Sequence, residues 1–282
     1  MKETLRYFGY HIRHDRAAQL GFAIVGVMMS LVLLAPLLTS MDPLEANPAD
    51  FLQAPSARHF FGTDSSGLDV FSRVLYAPRV DMVIAVAGVL FAVLIGCPLG
   101  VFVGYYPDIF LSTLTMRVMD FIQSLPVFIM AMALVAALGQ DVTNVIYVLT
   151  FFKIPIFARL MRSEALSLRE IEYIEAARCV GNSNLRIVFR HLLPNSLGPA
   201  LVQLSISIGA GILMTAGLSF IGAGVRVPTP EWGLMIASGA QNMITGQWWI
   251  AFFPGVAMSL TILGFALVGD ALREILDPTK RR

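Results

Sequence analysis

The 282-residue sequence is poor in charge, cysteine and histidine. Charged side chains make up 14% of it, against about a quarter in a typical soluble domain, which excludes a soluble globular protein. The net charge of +1 leaves no basic surplus that would indicate binding to nucleic acid. Two cysteines provide no disulfide framework. Among the four histidines only His11 and His14 have helical spacing, which is a weak signal, and we predict no metal site.

Motifs for chemistry are missing as well. The sequence has no Gly-x-x-x-x-Gly-Lys-Ser/Thr phosphate-binding loop and no Gly-x-Ser-x-Gly nucleophile elbow. Asp64, Asp69 and Arg73 lie close together, but turn caps and a loop-internal ion pair explain them better than catalysis. We therefore predict no catalytic residue and no enzyme in its own right. If ATP drives this protein, another subunit must bind the nucleotide.

Apolar residues, by contrast, fill long stretches of the chain. Hydrophobic residues make up 56%, and residues 17–41, 82–107, 121–140, 192–225 and 232–269 contain no Asp, Glu, Lys or Arg. A helix needs about 20 apolar residues to cross the hydrocarbon core of a membrane. We predict an all-α polytopic membrane protein with six transmembrane helices, near 19–40, 82–104, 114–138, 142–161, 197–221 and 248–269. We expect the first to be a retained helix and not a cleaved signal.

Three charged residues fall within or beside these predicted spans. Lys153, in the fourth span, is expected to snorkel to an interface or to face a water-filled cavity. Arg117 and Asp120 are three apart on the third span, where they pair with each other or with a neighbouring helix.

The distribution of basic residues predicts the orientation. The segments on one side of the predicted spans hold only Arg58, Arg73, Arg79 and Arg226, whereas the other side holds most of the remaining lysines and arginines. Cytoplasmic loops carry the excess of basic residues in membrane proteins. Both termini and the segment after the fourth span are therefore predicted to be cytoplasmic.

That cytoplasmic segment has its own pattern. Residues 164–180 are rich in helix-forming Glu, Ala, Leu and Arg. An apolar row and a charged row recur every three residues, so Arg169 is expected to meet Glu172, and Glu175 to meet Arg178. Gly181-Asn182 predicts a helix stop, because both residues tolerate a left-handed backbone, and Ser183 is expected to cap the next turn. Pro194 is expected to end that turn.

The same residues carry a family resemblance. Glu175-Ala176-Ala177, Gly181 and Leu193-Pro194 resemble the coupling loop of ABC-importer permeases. Further matches, to the dipeptide/oligopeptide/nickel permease family, are at 61–64, 67–73, 228–233 and 269–278. One departure is His191, three residues before the proline, where the broad importer pattern has an apolar residue; Arg190 to Asn195 resembles the peptide-permease version.

The resemblance implies a type I ABC-importer permease fold with both termini cytoplasmic. Its expected organisation is a tail, first helix and outer loop at 1–79, a permease domain at 80–271 with a coupling loop at about 164–195, and a cytoplasmic tail at 272–282. Its expected partners are the lipid bilayer, a second homologous permease, two cytoplasmic ATPases that carry ATP and Mg, and an extracytoplasmic solute-binding protein. The residues expected to couple to the ATPase are Glu175, Ala176, Ala177, Arg178, Gly181 and Pro194.

Two further predictions keep alternatives open. Gln203, Ser207, Gly211 and Met214 form a stripe on the fifth span that lines a translocation path or simply allows close helix packing. Trp232 contacts a partner at the outer loop or is an ordinary aromatic belt residue. The predicted function is a permease subunit of an ATP-driven importer in the bacterial inner membrane, for peptides or a related small solute. The alternative is a secondary transporter or channel working without an ATPase.

Overall fold

The computed structural model describes residue 12 and residues 14–276. Residues 1–11, 13 and 277–282 lie outside that part, and with them His11 and most of the predicted C-terminal tail. The α-helices and one π-helical segment of the described residues are numbered here in chain order: α1 Arg16–Leu38, α2 Val70–Tyr76, α3 Pro78–Tyr105, α4 Phe110–Ser124, α5 Val127–Leu138, α6 Val142–Leu168, α7 Glu172–Cys179, α8 Asn184–Arg186, a π-helical segment Ile187–Leu192, α9 Leu193–Phe220, α10 Trp232–Met243 and α11 Trp249–Leu276.

Five spans in the described chain are long and apolar enough to cross a membrane, and a sixth is broken. The five are α1, α2 with α3, α6, α8 through α9, and α11. The prediction of one straight helix over 114–138 was wrong, because α4 and α5 meet at a bend of 95°. Leu125 has extended backbone angles there (φ −91°, ψ 142°). A residue before proline is pushed out of the helical region, and Pro126 follows.

The bundle core lies between α3 and α6, which pack along most of their lengths. Gly96 permits the close approach, because a Cβ there would lie 2.8 Å from the Ile154 carbonyl oxygen and 2.9 Å from the Phe157 Cβ. α9 packs on α3 and α11, and α1 packs on α11. Pro155 does not interrupt α6, and Lys153 is only 8% exposed, so its side chain lies inside the bundle rather than on its surface.

The segment between α1 and α2 folds against the ends of α2 and α11. The Trp249 indole N–H donates to the Thr63 carbonyl at 3.1 Å, and the Phe61 and Phe253 rings stack with centroids 3.9 Å apart. Asp69 Oδ2 caps α2 by accepting from Ser72 N–H at 2.7 Å. The expected turn cap is therefore confirmed at this carboxylate.

Arg73 differs from its expected ion pair. Its Nη1 donates to the carbonyls of Pro43 (3.1 Å) and Pro228 (2.9 Å), which joins the two loops at this end of the bundle. The carboxylate of Asp69 instead faces His59, whose Nδ1 lies 2.9 Å from Oδ1. The buried Arg73 guanidinium thus links two separate loops through carbonyl oxygens rather than through an ion pair.

Candidate functional site

The segment 164–195 joins α6 to α9 and projects from one end of the bundle, called here the α7 end. The prediction of one helix through 164–180 was wrong, because α6 ends at Leu168 and α7 begins at Glu172. The break also changes the expected ion pairs. Arg169 Nε meets Glu170 Oε1 at 2.8 Å instead of reaching Glu172. A step of three residues drifts around a helix of 3.6 residues per turn, so one continuous helix would not keep its apolar row facing the bundle.

α7 is fixed to the bundle by one narrow face. Ile174 is fully buried and Ala177 is 9% exposed, and both belong to the same apolar cluster as Tyr105, Ala165 and Ile187. These neighbours come from α3, α6 and the π-helical segment. α7 therefore belongs to the same apolar cluster as the ends of three elements that continue into the bundle.

The opposite face of α7 is open. Glu175, Ala176 and Arg178 are exposed, whereas the expected Glu175–Arg178 pair does not occur among the ion pairs of the described chain. The Arg178 guanidinium instead lies over the Tyr105 ring, 5.4 Å from its centroid. The Tyr105 hydroxyl donates to Asn184 Oδ1 at 2.9 Å, which ties the end of α3 to the turn after α7. The exposed part of α7 thus presents the carboxylates of Glu172 and Glu175, the small side chain of Ala176 and the stacked guanidinium of Arg178.

The helix stop predicted at Gly181 is confirmed. Gly181 has φ +83°, its N–H donates to the Arg178 carbonyl at 2.9 Å, and Asn182 N–H donates to the Ala177 carbonyl at 3.2 Å. This is the Schellman arrangement that ends helices at a left-handed glycine. Ser183 caps the next turn, as expected, by accepting from Arg186 N–H at 3.4 Å.

Pro194 does not end the second turn. It lies in the first turn of α9, which continues directly from the π-helical segment. The helix is already hydrogen-bonded at this point, since the Leu193 N–H donates to the Val188 carbonyl, and such a π-helical adjustment accommodates a proline within a continuous helix. The chain consequently runs from the exposed turn into α9 as one connected element.

The proposed pathway stripe faces inward within this chain. Ser207, Gly211 and Met214 are buried, and Gln203 is half-buried with its Nε2 donating to Ser207 Oγ at 3.1 Å. A Cβ on Gly211 would lie 3.3 Å from Leu149, which is the close packing of small residues between helices. In this conformation Ser207, Gly211 and Met214 serve helix packing, whereas Gln203 also lines a cavity with Val202 and Arg273.

Trp232 was expected at a partner contact or in an aromatic belt, and both interpretations conflict with its position. Its side chain is fully buried, and its indole N–H donates to the Val74 carbonyl at 3.4 Å. Its backbone N–H donates to Asp81 Oδ2 at 3.1 Å. The indole fills the junction between α2, α3 and α10, because the loop before it folds back into the bundle.

A buried carboxyl pair beside Trp232 was not predicted from the sequence. Asp81 and Glu231 are fully buried beside each other, and Glu231 caps α10 by accepting from the N–H groups of Gly233 and Leu234. Burial raises the pKa of Glu231 above its ordinary value. Two adjacent carboxylates repel each other, which favours holding one proton between them, and the pair then carries one negative charge at the junction of α3 and α10.

No cluster of three or more His, Cys, Asp or Glu residues suited to a metal ion occurs within residues 12 and 14–276.

The bundle with its exposed helix and turn between two spans defines a membrane transport subunit of the type I ABC permease fold. A structure of the MetNI methionine ABC transporter in inward-facing conformations matches with a TM-score of 0.57, over 73% of this chain and 96% of that one. At 22% identity this likeness shows the fold alone.

The family follows from the sequence comparisons. The model described as "Binding-protein-dependent transport system inner membrane component" matches residues 96–282, and the chain belongs to that family. It is 40% identical to the dipeptide transport system permease protein DppC of Alkalihalophilus pseudofirmus, over 95% of this chain and 87% of the relative. It is also 40% identical to the glutathione transport system permease protein GsiD of Pectobacterium atrosepticum, over 80% and 74%.

The chain is accordingly a permease subunit of an ATP-driven importer and a multi-pass protein of the bacterial inner membrane. The alternative of a secondary transporter or channel is set aside.

Proposed function

We propose that this subunit pairs with a second homologous permease and works with two cytoplasmic ABC ATPases and an extracytoplasmic solute-binding protein. The relatives named for dipeptides and glutathione support a peptide or a related small solute as the cargo. ATP and Mg belong to the ATPase subunits, and this chain contributes half of the translocation pathway without catalysing a reaction. The basic residues at the α7 end support a cytoplasmic location for that end and for both termini.

The 164–195 segment is proposed to dock on an ATPase. The observation that carries this assignment is the two-sided nature of α7, with Ile174 and Ala177 anchored in the bundle and Glu175, Ala176 and Arg178 exposed. Ala176 allows a partner surface to approach closely. Glu175 and Arg178 offer it a hydrogen-bond acceptor and a guanidinium donor.

Coupling then follows from the connections of this segment. Closure of the ATPase pair around ATP pushes on α7, and the Gly181 turn keeps α7 at a fixed angle to the element that leads through Pro194 into α9. Because α7 shares its apolar cluster with the ends of α3 and α6, the same push reaches those helices. The spans would then turn together from an inward-open to an outward-open arrangement.

A native cysteine makes the docking testable. Cys179, at the end of α7, is exposed, whereas Cys97 is buried in α3. In the assembled importer, a short thiol crosslinker should join Cys179 to single cysteines placed on the ATPase surface, and Cys179→Ser should abolish the product. A cysteine at Gly246, between α10 and α11, is the matched control and should give no such product.

The same cysteine tests the orientation. A membrane-impermeant maleimide should label Cys179 in inverted vesicles and not in intact cells. Labelling from outside intact cells, or the absence of any ATPase crosslink at an assembled complex, would refute the docking.

A further inference from the structure

A cavity of about 480 Å³ lies between α4, α6 and the end of α3, on the α7 end of the bundle. Its polar lining includes Ser112, Arg117, Asp120, Arg159, Arg162 and Ser163, and it is called here the arginine cavity. Of the residues that line it, only Leu166 belongs to the 164–195 segment, and none belongs to α7. Arg162 is six residues before the end of α6, which is about 9 Å along the helix axis. The cavity therefore lies at the depth where spans leave the hydrocarbon.

The charges in the arginine cavity do not balance. Asp120 is the one carboxylate in its lining, and it meets Arg159 Nη2 at 2.7 Å. Within the described chain no ion pair is formed by Arg117 or Arg162. Two guanidinium groups that remain charged at any physiological pH thus share one cavity without a compensating anion.

Two buried donors in the same cavity also have no acceptor. Ser112 is 1% exposed and its Oγ has no hydrogen-bond partner, and Arg162 Nε is buried and equally without one. Buried polar atoms are nearly always hydrogen-bonded, so each such exception calls for an explanation. Here both orphaned donors line one cavity, and a single ligand with several acceptor oxygens would satisfy both.

The start of α4 adds to this positive environment. α4 begins at Phe110 after Ile109, which provides no side-chain cap, and Ser112 and Thr113 of its first turns line the cavity. A helix of 15 residues carries partial positive charge at its N-terminus, where phosphate oxygens bind well.

We propose that the arginine cavity is a binding site for a phosphate-type oxyanion. Guanidinium groups bind phosphate through paired N–H donors, and Arg117 and Arg162 supply two such groups while the Ser112 hydroxyl supplies a further donor. The phosphate belongs either to the headgroup of an anionic phospholipid or to a free phosphate-bearing solute. Because no residue of α7 lines the cavity, this binding can be tested independently of where the ATPase docks.

The test uses the full-length chain in two forms. Delipidated protein in detergent is titrated calorimetrically with inorganic phosphate. In parallel, protein is placed in phosphatidylcholine nanodiscs with or without phosphatidylglycerol, and retained lipid is identified by native mass spectrometry. Binding of inorganic phosphate identifies a free solute as the source, whereas retention of phosphatidylglycerol without phosphate binding identifies the headgroup.

Variants then assign the binding to the cavity. Arg162→Gln and Arg117→Gln should each weaken it about tenfold or more, the effect of losing one hydrogen bond to a charged group. Arg162→Lys should restore part of the affinity. Arg169→Gln removes the same charge from the end of α6, outside the cavity, and should bind like the unaltered chain. If Arg162→Gln misfolds, Arg117→Gln, at an exposed side chain, still decides the question.

The proposal is overturned if neither probe binds, or if both cavity variants bind as well as Arg169→Gln. It is also overturned if the variants separate the two permease subunits while anion binding is unchanged, because a partner's carboxylate would then be the natural occupant.

Discussion

Gly181 is the position where a small change should have the clearest functional consequence. Its φ of +83° lies in the left-handed region, and a Cβ built on it would meet nothing within 4 Å. A side chain at this position would therefore cause backbone strain without a clash. Gly181→Val isolates one variable, the angle between α7 and the element that follows it.

The size of the effect follows from that strain. An L-residue with a Cβ pays about 1–2 kcal/mol in the left-handed helical conformation, a factor of about 5–30 in population. In Gly181→Val, the observed turn between α7 and the Ser183-capped helix should become less stable than other turn geometries by that free energy. Gly181→Asn should lose less, because asparagine tolerates this conformation better than β-branched residues do.

The assay is the reconstituted importer, in which ATP hydrolysis and solute uptake are measured on the same proteoliposomes. Gly181→Val should insert and assemble normally but lower uptake about 5–30-fold, with Gly181→Asn in between. Gly246→Val is the matched control, since Gly246 has φ +96° and equally open surroundings at the α10–α11 loop. It carries the same strain and should leave uptake per ATP unchanged.

Normal uptake by Gly181→Val at normal expression would refute the reasoning, as would an equal defect in Gly246→Val. The first result would mean that the turn geometry does not matter, and the second that any strained loop disturbs transport.

Three further predictions concern stability, measured by thermal unfolding in detergent. Gly96→Ala should lower stability by about 1–3 kcal/mol, because its Cβ would press on backbone of α6, whereas Gly255→Ala, with open space around it, should not. Trp232→Ala should lower the free energy of unfolding by about 3–5 kcal/mol, because it leaves a large cavity at a fully buried position. Ile244→Ala is the control at a side chain 94% exposed, and an equally large loss of stability there would contradict this prediction. The raised pKa of Glu231 means that the folded state holds this proton more tightly, so stability is full below the ordinary pKa of 4.5 and falls as pH rises through the raised value. Glu231→Gln should reduce that fall in stability with pH. If the stability of this variant depends on pH as that of the unaltered chain does, Glu231 is not the group responsible.

The helix stop at Gly181 illustrates what local sequence predicts well. A glycine followed by Asn182 and Ser183 contains its own turn chemistry, and the structure has the left-handed residue and the cap at the expected positions. Residues close in sequence make these interactions, so no knowledge of the distant chain is needed. The break between Leu168 and Glu172 lacks such a marker and was missed.

Trp232 and Asp120 illustrate the opposite case. An aromatic residue after a proline-containing loop fits a surface equally well, and its burial depends on how that loop folds against Val74 and Asp81. Asp120 was expected to pair with Arg117 or with a neighbouring helix, and it pairs with Arg159, 39 positions away in the sequence. The choice between local and distant partners depends on how α4 and α6 pack.

The sequence by itself determined that this chain spans a membrane several times, that a charged segment interrupts its apolar spans, and which family motifs it carries. Those conclusions rest on composition and on interactions between near neighbours. Only the tertiary structure decided which face of α7 is open, that most of the stripe ending at Met214 packs inward, and that three arginines line one cavity with a single carboxylate. These features depend on which helices lie side by side, and apolar surfaces in a membrane pack in many arrangements that composition does not distinguish.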